Sequence, residues 1–110
     1  MADIKHVTPE FAVTGQISVD DVKAIAAEGF RSVICNRPDK ESSDQPDFAA
    51  ISAAAKAAGL ETAYVPVVSG RMTPADVDAF RAALGTLPSP TLAYCRSGTR
   101  SLNIYTAAKG

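Results

Sequence analysis

The sequence contains few of the residues from which covalent or metal-bound frameworks are built. Its 110 residues include two cysteines, Cys35 and Cys95, a single histidine, His6, and no tryptophan. Two cysteines outside any CxxC pair are too few for a disulfide framework or a structural zinc site. The isolated histidine, expected at the surface, argues against a Cys–His hydrolase. We therefore expect neither a metal nor a cofactor.

Long runs of charge or of apolar residues are also absent. Eleven basic and twelve acidic side chains leave a net charge of −1 without a charged block, so neither nucleic acid nor a membrane surface is an expected partner. No apolar run approaches the roughly 20 residues that span a bilayer. Met1–Phe11 lacks the features of a signal peptide. These absences predict a soluble, cytoplasmic protein in a reducing compartment, with residues 1–110 forming a single domain.

Strand-like and helix-like segments alternate along the chain. A short edge strand is predicted at Phe11–Ile17, and further strands are predicted at Phe30–Asn36, Leu60–Val67 and Thr91–Tyr94. A helix follows each strand. The predicted fold is therefore a three-layer α/β/α domain with a four-stranded, mainly parallel sheet.

The predicted helices are bounded by capping residues and glycines. Ser18 and Asp21 form the capping box of the first, whose apolar face would contain Val19, Val22, Ile25 and Ala26, and Gly29 ends it. The second helix covers about Asp47–Ala58. Thr73 caps the third, with Pro74 at its first position and Asp76 as box partner, and Gly85 ends it. The last begins near Ser101.

The segment "CRSGTR", Cys95 to Arg100, directly follows the last strand. In an open parallel sheet, ligands bind beyond the carboxyl ends of the strands. A loop with Gly98 at its centre can turn successive N–H groups inward as an anion-binding nest, and the following helix adds its positive end. Arg100 would supply a charged fork, and Ser101 a hydrogen bond to the sulfur. We expect a thiolate nucleophile, because a structural cysteine needs no such loop.

Four segments resemble a known family: "CRSGTRS", "GFRSVICNRPD", "TPEFAVTGQIS" and "YVPVVSGRMTPADVDAF". Together they are similar to the phosphatase-like domain of beta-lactamase-hydrolase-like proteins, over nearly the whole chain. The resemblance implies a dual-specificity-phosphatase fold related to rhodaneses, with strand order 1-4-2-3. It also implies that Cys95 is the nucleophile and that the anion pocket is lined by Arg96, Ser97, Gly98, Thr99 and Arg100.

The same resemblance suggests the partners of the domain. Family members occur alone and fused to metallo-beta-lactamase-type enzymes, including persulfide dioxygenases. A separate persulfide dioxygenase, or another hydrolase of that type, is therefore an expected partner. The expected substrate is a small anionic sulfur donor or a phosphate ester.

Two chemistries compete for this loop. Four residues separate Cys95 from Arg100, one fewer than in cysteine phosphatases, and the loop resembles those of rhodaneses, which carry a persulfide. Phosphatases of this fold place a general acid after the third strand, but Val68–Thr73 contains none, and capping already explains Asp76. The main prediction is a sulfurtransferase working through a Cys95 persulfide. The alternative is a cysteine phosphatase, and a third interpretation is a non-catalytic anion-binding module.

Two further positions lie near the predicted edge. In the turn "NRPD", Arg37 would contact an anionic substrate and Asp39 would orient Arg37 or Arg100, although turn chemistry explains the segment equally well. Cys35 ends the second strand and could resolve an oxidised Cys95, but a buried core cysteine is the favoured interpretation.

Overall fold

A computed structural model describes residues 3–109, which form a five-stranded sheet between two pairs of helices. The strands are β1 (Lys5–Thr8), β2 (Phe11–Thr14), β3 (Ser32–Cys35), β4 (Glu61–Tyr64) and β5 (Thr91–Tyr94). The helices are α1 (Asp21–Ala27), α2 (Phe48–Ala57), α3 (Pro74–Thr86) and α4 (Thr99–Lys109). The predicted three-layer α/β class is confirmed. No helix within the described range is long and apolar enough to cross a bilayer.

The strand order is β1-β2-β5-β3-β4. Its four parallel strands, β2, β5, β3 and β4, have the predicted order 1-4-2-3. The prediction of four strands was wrong by one, because β1 pairs antiparallel with β2 and occupies the edge assigned to β2. The short, polar sequence "KHVT" lacks the apolar alternation by which a strand is detected. Covered on both sides, β2 is buried throughout and ends at Thr14, earlier than predicted.

Two apolar cores lie on opposite faces of the sheet. Residues of α1 and α2, such as Ile25 and Ile51, pack with Leu92 and Tyr94 of β5. Residues of α3 and α4, such as Phe80 and Ile104, pack with the alternate β5 residue Ala93. Because successive side chains of a strand point to opposite faces, the central strand β5 contributes to both cores. This burial fixes the position of the residue that follows β5.

Three helix boundaries differ from their predictions. Ser18 and Asp21 exchange both capping-box hydrogen bonds, yet a turn intervenes, so α1 begins at Asp21 and Val19 stays 43% exposed. α3 begins at the predicted Thr73–Asp76 box but continues through Gly85. α4 begins at Thr99, before Ser101. The bounds of α2 agree with the predicted helix to within one residue.

Candidate active site

Cys95 directly follows the central strand, at the carboxyl edge of the sheet. Its N–H donates to the carbonyl of Thr14 on one side (3.4 Å), and the Asn36 N–H donates to the carbonyl of Tyr94 on the other (2.8 Å). The Asn36 side chain in turn donates to the carbonyl of Val65 beyond β4 (2.9 Å). Four neighbouring strand ends are thus joined around one buried thiol. The thiol is held by rigid backbone rather than by a mobile surface segment.

The loop from Cys95 to Arg100 turns its N–H groups towards the sulfur. Gly98 has a φ of 94° and donates its N–H to Cys95 Sγ at 3.0 Å. The N–H groups of Ser97 and Ser101 and the Ser101 hydroxyl also contribute to lowering the pKa of the Cys95 thiol. The buried Ser101 hydroxyl makes no hydrogen bond within residues 3–109. The N-terminus of α4 lies beside this loop, so the positive end of the helix adds to the field at the sulfur.

This environment lowers the pKa of the Cys95 thiol. Burial alone would raise it, but the N–H groups of Ser101, Ser97 and Gly98, together with the Ser101 hydroxyl, stabilise the thiolate more strongly. Burial raises the pKa of the other cysteine, Cys35. Of the two free thiols, Cys95 is therefore the one that ionises more readily.

A cleft of about 1140 Å³ opens above Cys95. One wall is the segment after β4, and the opposite wall is the loop between β3 and α2. The floor is the cysteine loop. The principal side chains lining the cleft are Gln16, Arg37, Glu41, Asp44, Val67, Val68, Met72, Cys95, Arg96, Ser97, Thr99 and Arg100.

Arg100 and Arg37 share one carboxylate inside this cleft. Arg100 Nη1 and Nη2 donate to Glu41 Oε2 and Oε1 at 3.0 and 3.1 Å, and Arg37 Nε donates to Oε1 at 3.0 Å. Arg100 Nη1 also donates to the carbonyl of Val67 (3.0 Å). The hydrogen bonds from Arg100 are the main cause that lowers the pKa of Glu41, and Arg37 adds to the effect. Glu41 is therefore ionised and clamped by two guanidinium groups.

The structure places the predicted site residues in two groups. Cys95, Arg100, Arg96, Ser97, Thr99 and Arg37 line the cleft. Gly98 and Ser101 are buried behind the loop, and the Gly98 N–H donates to the sulfur. Arg37 is only 6% exposed and also donates to Gln16 Oε1 (3.1 Å), so its guanidinium is held largely by the protein itself.

Two interpretations of neighbouring residues change. Asp39 orients neither arginine, because its carboxylate accepts the N–H of Phe48 at the start of α2 (2.8 Å). Cys35 does not line the cleft; it packs in the core beside α1 and α2, with its sulfur near the Arg37 carbonyl (3.2 Å). The favoured interpretation of Cys35 as a core cysteine fits this placement.

Sequence reasoning missed the two carboxylates of the cleft, Glu41 and Asp44. It sought an acid only in the segment after β4, where there is none. Both carboxylates come instead from the polar loop "RPDKESSDQP" after β3. A signal was available, because β3 neighbours β5 in the predicted order, so its following loop must lie beside the cysteine loop.

Parallel strands in this order, with a cysteine in an N–H-lined loop ahead of a helix, define a cysteine-phosphatase-like domain. The profile of the beta-lactamase hydrolase-like protein, phosphatase-like domain matches residues 3–110. A beta-lactamase hydrolase-like protein of Xylella fastidiosa (strain Temecula1) is 40% identical over 102 residues, which are 93% of this chain and 24% of that protein. The chain belongs to this family of phosphatase-like domains, and it spans about a quarter of its curated relatives.

Solved structures agree with this assignment. A Neisseria meningitidis protein provisionally described as a phosphatase superposes with a TM-score of 0.87 at 36% identity, over 97% of this chain and 78% of that one. TpbA of P. aeruginosa, solved in complex with phosphotyrosine, has a TM-score of 0.70 at 14% identity, over 94% of this chain and 59% of that one. At that identity TpbA shows a shared fold alone.

Proposed function

We propose that this chain is a cysteine-dependent hydrolase of phosphate esters, working through a phosphocysteine at Cys95. The observation that carries the proposal is the hydrogen bond from the Gly98 N–H to Cys95 Sγ at 3.0 Å, in a loop that lowers the pKa of this thiol and lines the same cleft as Arg100. The similarity to a provisionally assigned phosphatase at 36% identity supports the same choice. Sulfur transfer, the main prediction from the sequence, gains no support from the similar proteins.

The loop suits both steps of such a reaction. In the first, the Cys95 thiolate attacks phosphorus, and the S–P bond forms as the ester P–O bond breaks. In the second, water attacks phosphorus and the thiolate leaves. The phosphoryl group carries negative charge throughout, and the fixed N–H dipoles of the loop, the end of α4 and the Arg100 guanidinium stabilise that charge.

The shape of the cleft favours an ester with a substantial organic group. Its volume of about 1140 Å³ far exceeds that of a phosphate. Val68 and Met72 form an apolar side of the opening, and Val68 is 55% exposed. Because an exposed apolar rim beside a polar floor suits a mixed ligand, we propose phosphate monoesters of aryl or alkyl alcohols as the substrate class.

The test is hydrolysis of 4-nitrophenyl phosphate, with intact-protein mass spectrometry after rapid acid quenching. We expect phosphate release and a phosphoryl adduct on Cys95. Cys95→Ser should abolish both, whereas Cys35→Ala is the matched control because Cys35 lies outside the cleft. Turnover that survives Cys95→Ser would overturn the proposal. Sulfate binding without any adduct would favour the non-catalytic module.

Sulfur transfer remains the second candidate because one observation favours it: only four residues lie between Cys95 and Arg100. A tighter loop suits a single sulfur atom better than a phosphoryl group. Incubation with thiosulfate should then add one sulfur to Cys95, which mass spectrometry detects. Inserting one residue after Gly98 should weaken this transfer. Sulfur uptake unaffected by the insertion would show that loop length does not select the substrate.

The partner and location are proposed on the same basis. We propose that the domain acts beside a separate metallo-beta-lactamase-type hydrolase, such as a persulfide dioxygenase. The basis is that about three quarters of the length of each curated relative lies outside the region that matches this chain. Two free thiols fit a reducing, cytoplasmic setting. Mixing the purified domain with such a hydrolase and measuring complex formation by sedimentation tests the association.

A further inference from the structure

The Glu41 carboxylate binds the Arg100 guanidinium in the way that a substrate oxyanion would. Its two oxygens accept from Nη1 and Nη2 of Arg100 at 3.0 and 3.1 Å, the bidentate arrangement that guanidinium groups form with carboxylates and phosphates. The Arg100 side chain is only 11% exposed, and within residues 3–109 its Nε has no partner. An anion bound at Cys95 must therefore compete with Glu41 for the Nη donors, while Nε is free to donate to it.

The proposed reaction requires an acid that the segment after β4 does not supply. Hydrolysis of an ester with a poor leaving group needs a proton on the departing oxygen. Among the residues described, the carboxylates lining the cleft are Glu41 and Asp44. Asp44 is fully exposed and its carboxylate is held by the Ser42 hydroxyl, which lowers its pKa. The Glu41 side chain is 27% exposed and directly contacts the arginine that would hold the phosphoryl group.

We propose that Glu41 is the general acid of this site, released from Arg100 when substrate binds. This inference rests on the proposed phosphatase function. The phosphoryl oxygens take the Arg100 donors, and the freed carboxylate takes up a proton from solvent. Glu41 then protonates the ester oxygen as the Cys95 S–P bond forms and the P–O bond breaks. In the second step it accepts a proton from the attacking water, and the S–P bond breaks to return the thiolate.

The charges around Glu41 favour this proton uptake once an anion is bound. In the free protein Arg100 and Arg37 face the carboxylate and keep it ionised. A bound dianion neutralises Arg100 and also repels the ionised Glu41 carboxylate. The nearby Asp44 carboxylate and the Cys95 thiolate add to this repulsion. Arg37 and Arg96 remain as the opposing cations of the cleft. Because the binding anion removes the main cause that lowers the pKa of Glu41, that pKa must rise.

The first experiment compares leaving groups. Glu41→Gln should lower kcat/KM for phenyl phosphate by about 10²–10⁴-fold, the usual contribution of a general acid, and should affect 4-nitrophenyl phosphate far less because its phenolate leaves without a proton. Asp44→Asn is the matched control and should change both substrates by the same factor. An equal loss on both substrates for Glu41→Gln would make Glu41 only a positioning residue for Arg100 and refute the proposal. A leaving-group-dependent loss in Asp44→Asn alone would also refute it.

The second experiment needs no turnover. Sulfate keeps its charge near pH 6, so calorimetry in buffers of different ionisation enthalpy reports protons taken up by the protein. Cys95→Ser is used as the background to remove thiolate titration. Because the proposal requires Glu41 to be protonated when the anion is bound, this background should take up about one proton more per sulfate than the Cys95→Ser, Glu41→Gln double variant. Equal uptake refutes the proposal, whereas Glu41-dependent uptake without ester hydrolysis would reject the phosphatase function alone.

Discussion

Gly98 holds the Cys95 loop in a conformation that alanine would strain. Its φ is 94°, and a Cβ added there would lie 3.4 Å from the carbonyl carbon and oxygen of Thr14. A left-handed backbone costs a residue with a Cβ about 1–2 kcal/mol. We expect Gly98→Ala to relieve this strain by moving the loop away from β2, which draws the Gly98 N–H away from the sulfur.

The loss of that hydrogen bond has a predictable size. A hydrogen bond to a charged group contributes about 1.5–3 kcal/mol, which is about 1–2 units of pKa for the Cys95 thiol. Below that pKa the thiolate fraction falls about 10–100-fold. A more basic thiolate is intrinsically more reactive, and this offsets about half of the loss on a logarithmic scale. Alkylation of Cys95 should therefore slow by about 3–10-fold.

The assay is the pH dependence of iodoacetamide alkylation, located on Cys95 by mass spectrometry. Gly29→Ala is the matched control: its φ is 101°, no atom lies within 4 Å of a Cβ added at that position, and Gly29 does not line the cleft. Both variants should lower the melting temperature, by about 4–8 °C per kcal/mol for a domain near this size. Superimposable alkylation profiles for Gly98→Ala and Gly29→Ala would refute the role of the Gly98 N–H.

Three further predictions concern stability. Thr73→Ala removes the capping box of α3 and should cost about 0.5–2 kcal/mol in urea unfolding; no loss would mean that α3 is held by packing alone. Phe80→Ala empties a fully buried position and should cost about 3–5 kcal/mol, against less than about 0.5 kcal/mol for the exposed Val68→Ala. Folding lowers the pKa of Cys95, so the thiolate should stabilise the wild type relative to Cys95→Ser. This stabilisation should grow as pH rises from the folded pKa to the unfolded value of about 8.5. It should disappear as pH falls through the folded pKa. A difference between these two proteins that stayed constant with pH would contradict a stabilised thiolate.

Local sequence patterns determined much of the architecture. The apolar segments before Cys35 and Cys95 predicted β3 and β5, and the Thr73–Asp76 box located the start of α3. These signals depend on contacts between residues close in sequence, which a pattern can report. The strand β1 was not predicted, because its four residues are mostly polar and it is stabilised by pairing with β2.

The cysteine loop could also be predicted from the sequence, because Cys95, Gly98, the helix start and Arg100 lie within seven consecutive residues. The residues that face that loop could not be predicted in this way. Glu41 is 59 residues from Arg100, and its bidentate contact exists because β3 and β5 are neighbours whose carboxyl ends meet at one edge. The separation of Cys35 from the cleft likewise follows from the side of the sheet on which it packs. Such contacts depend on strand order and side-chain direction, which residues distant in sequence settle only when the sheet assembles.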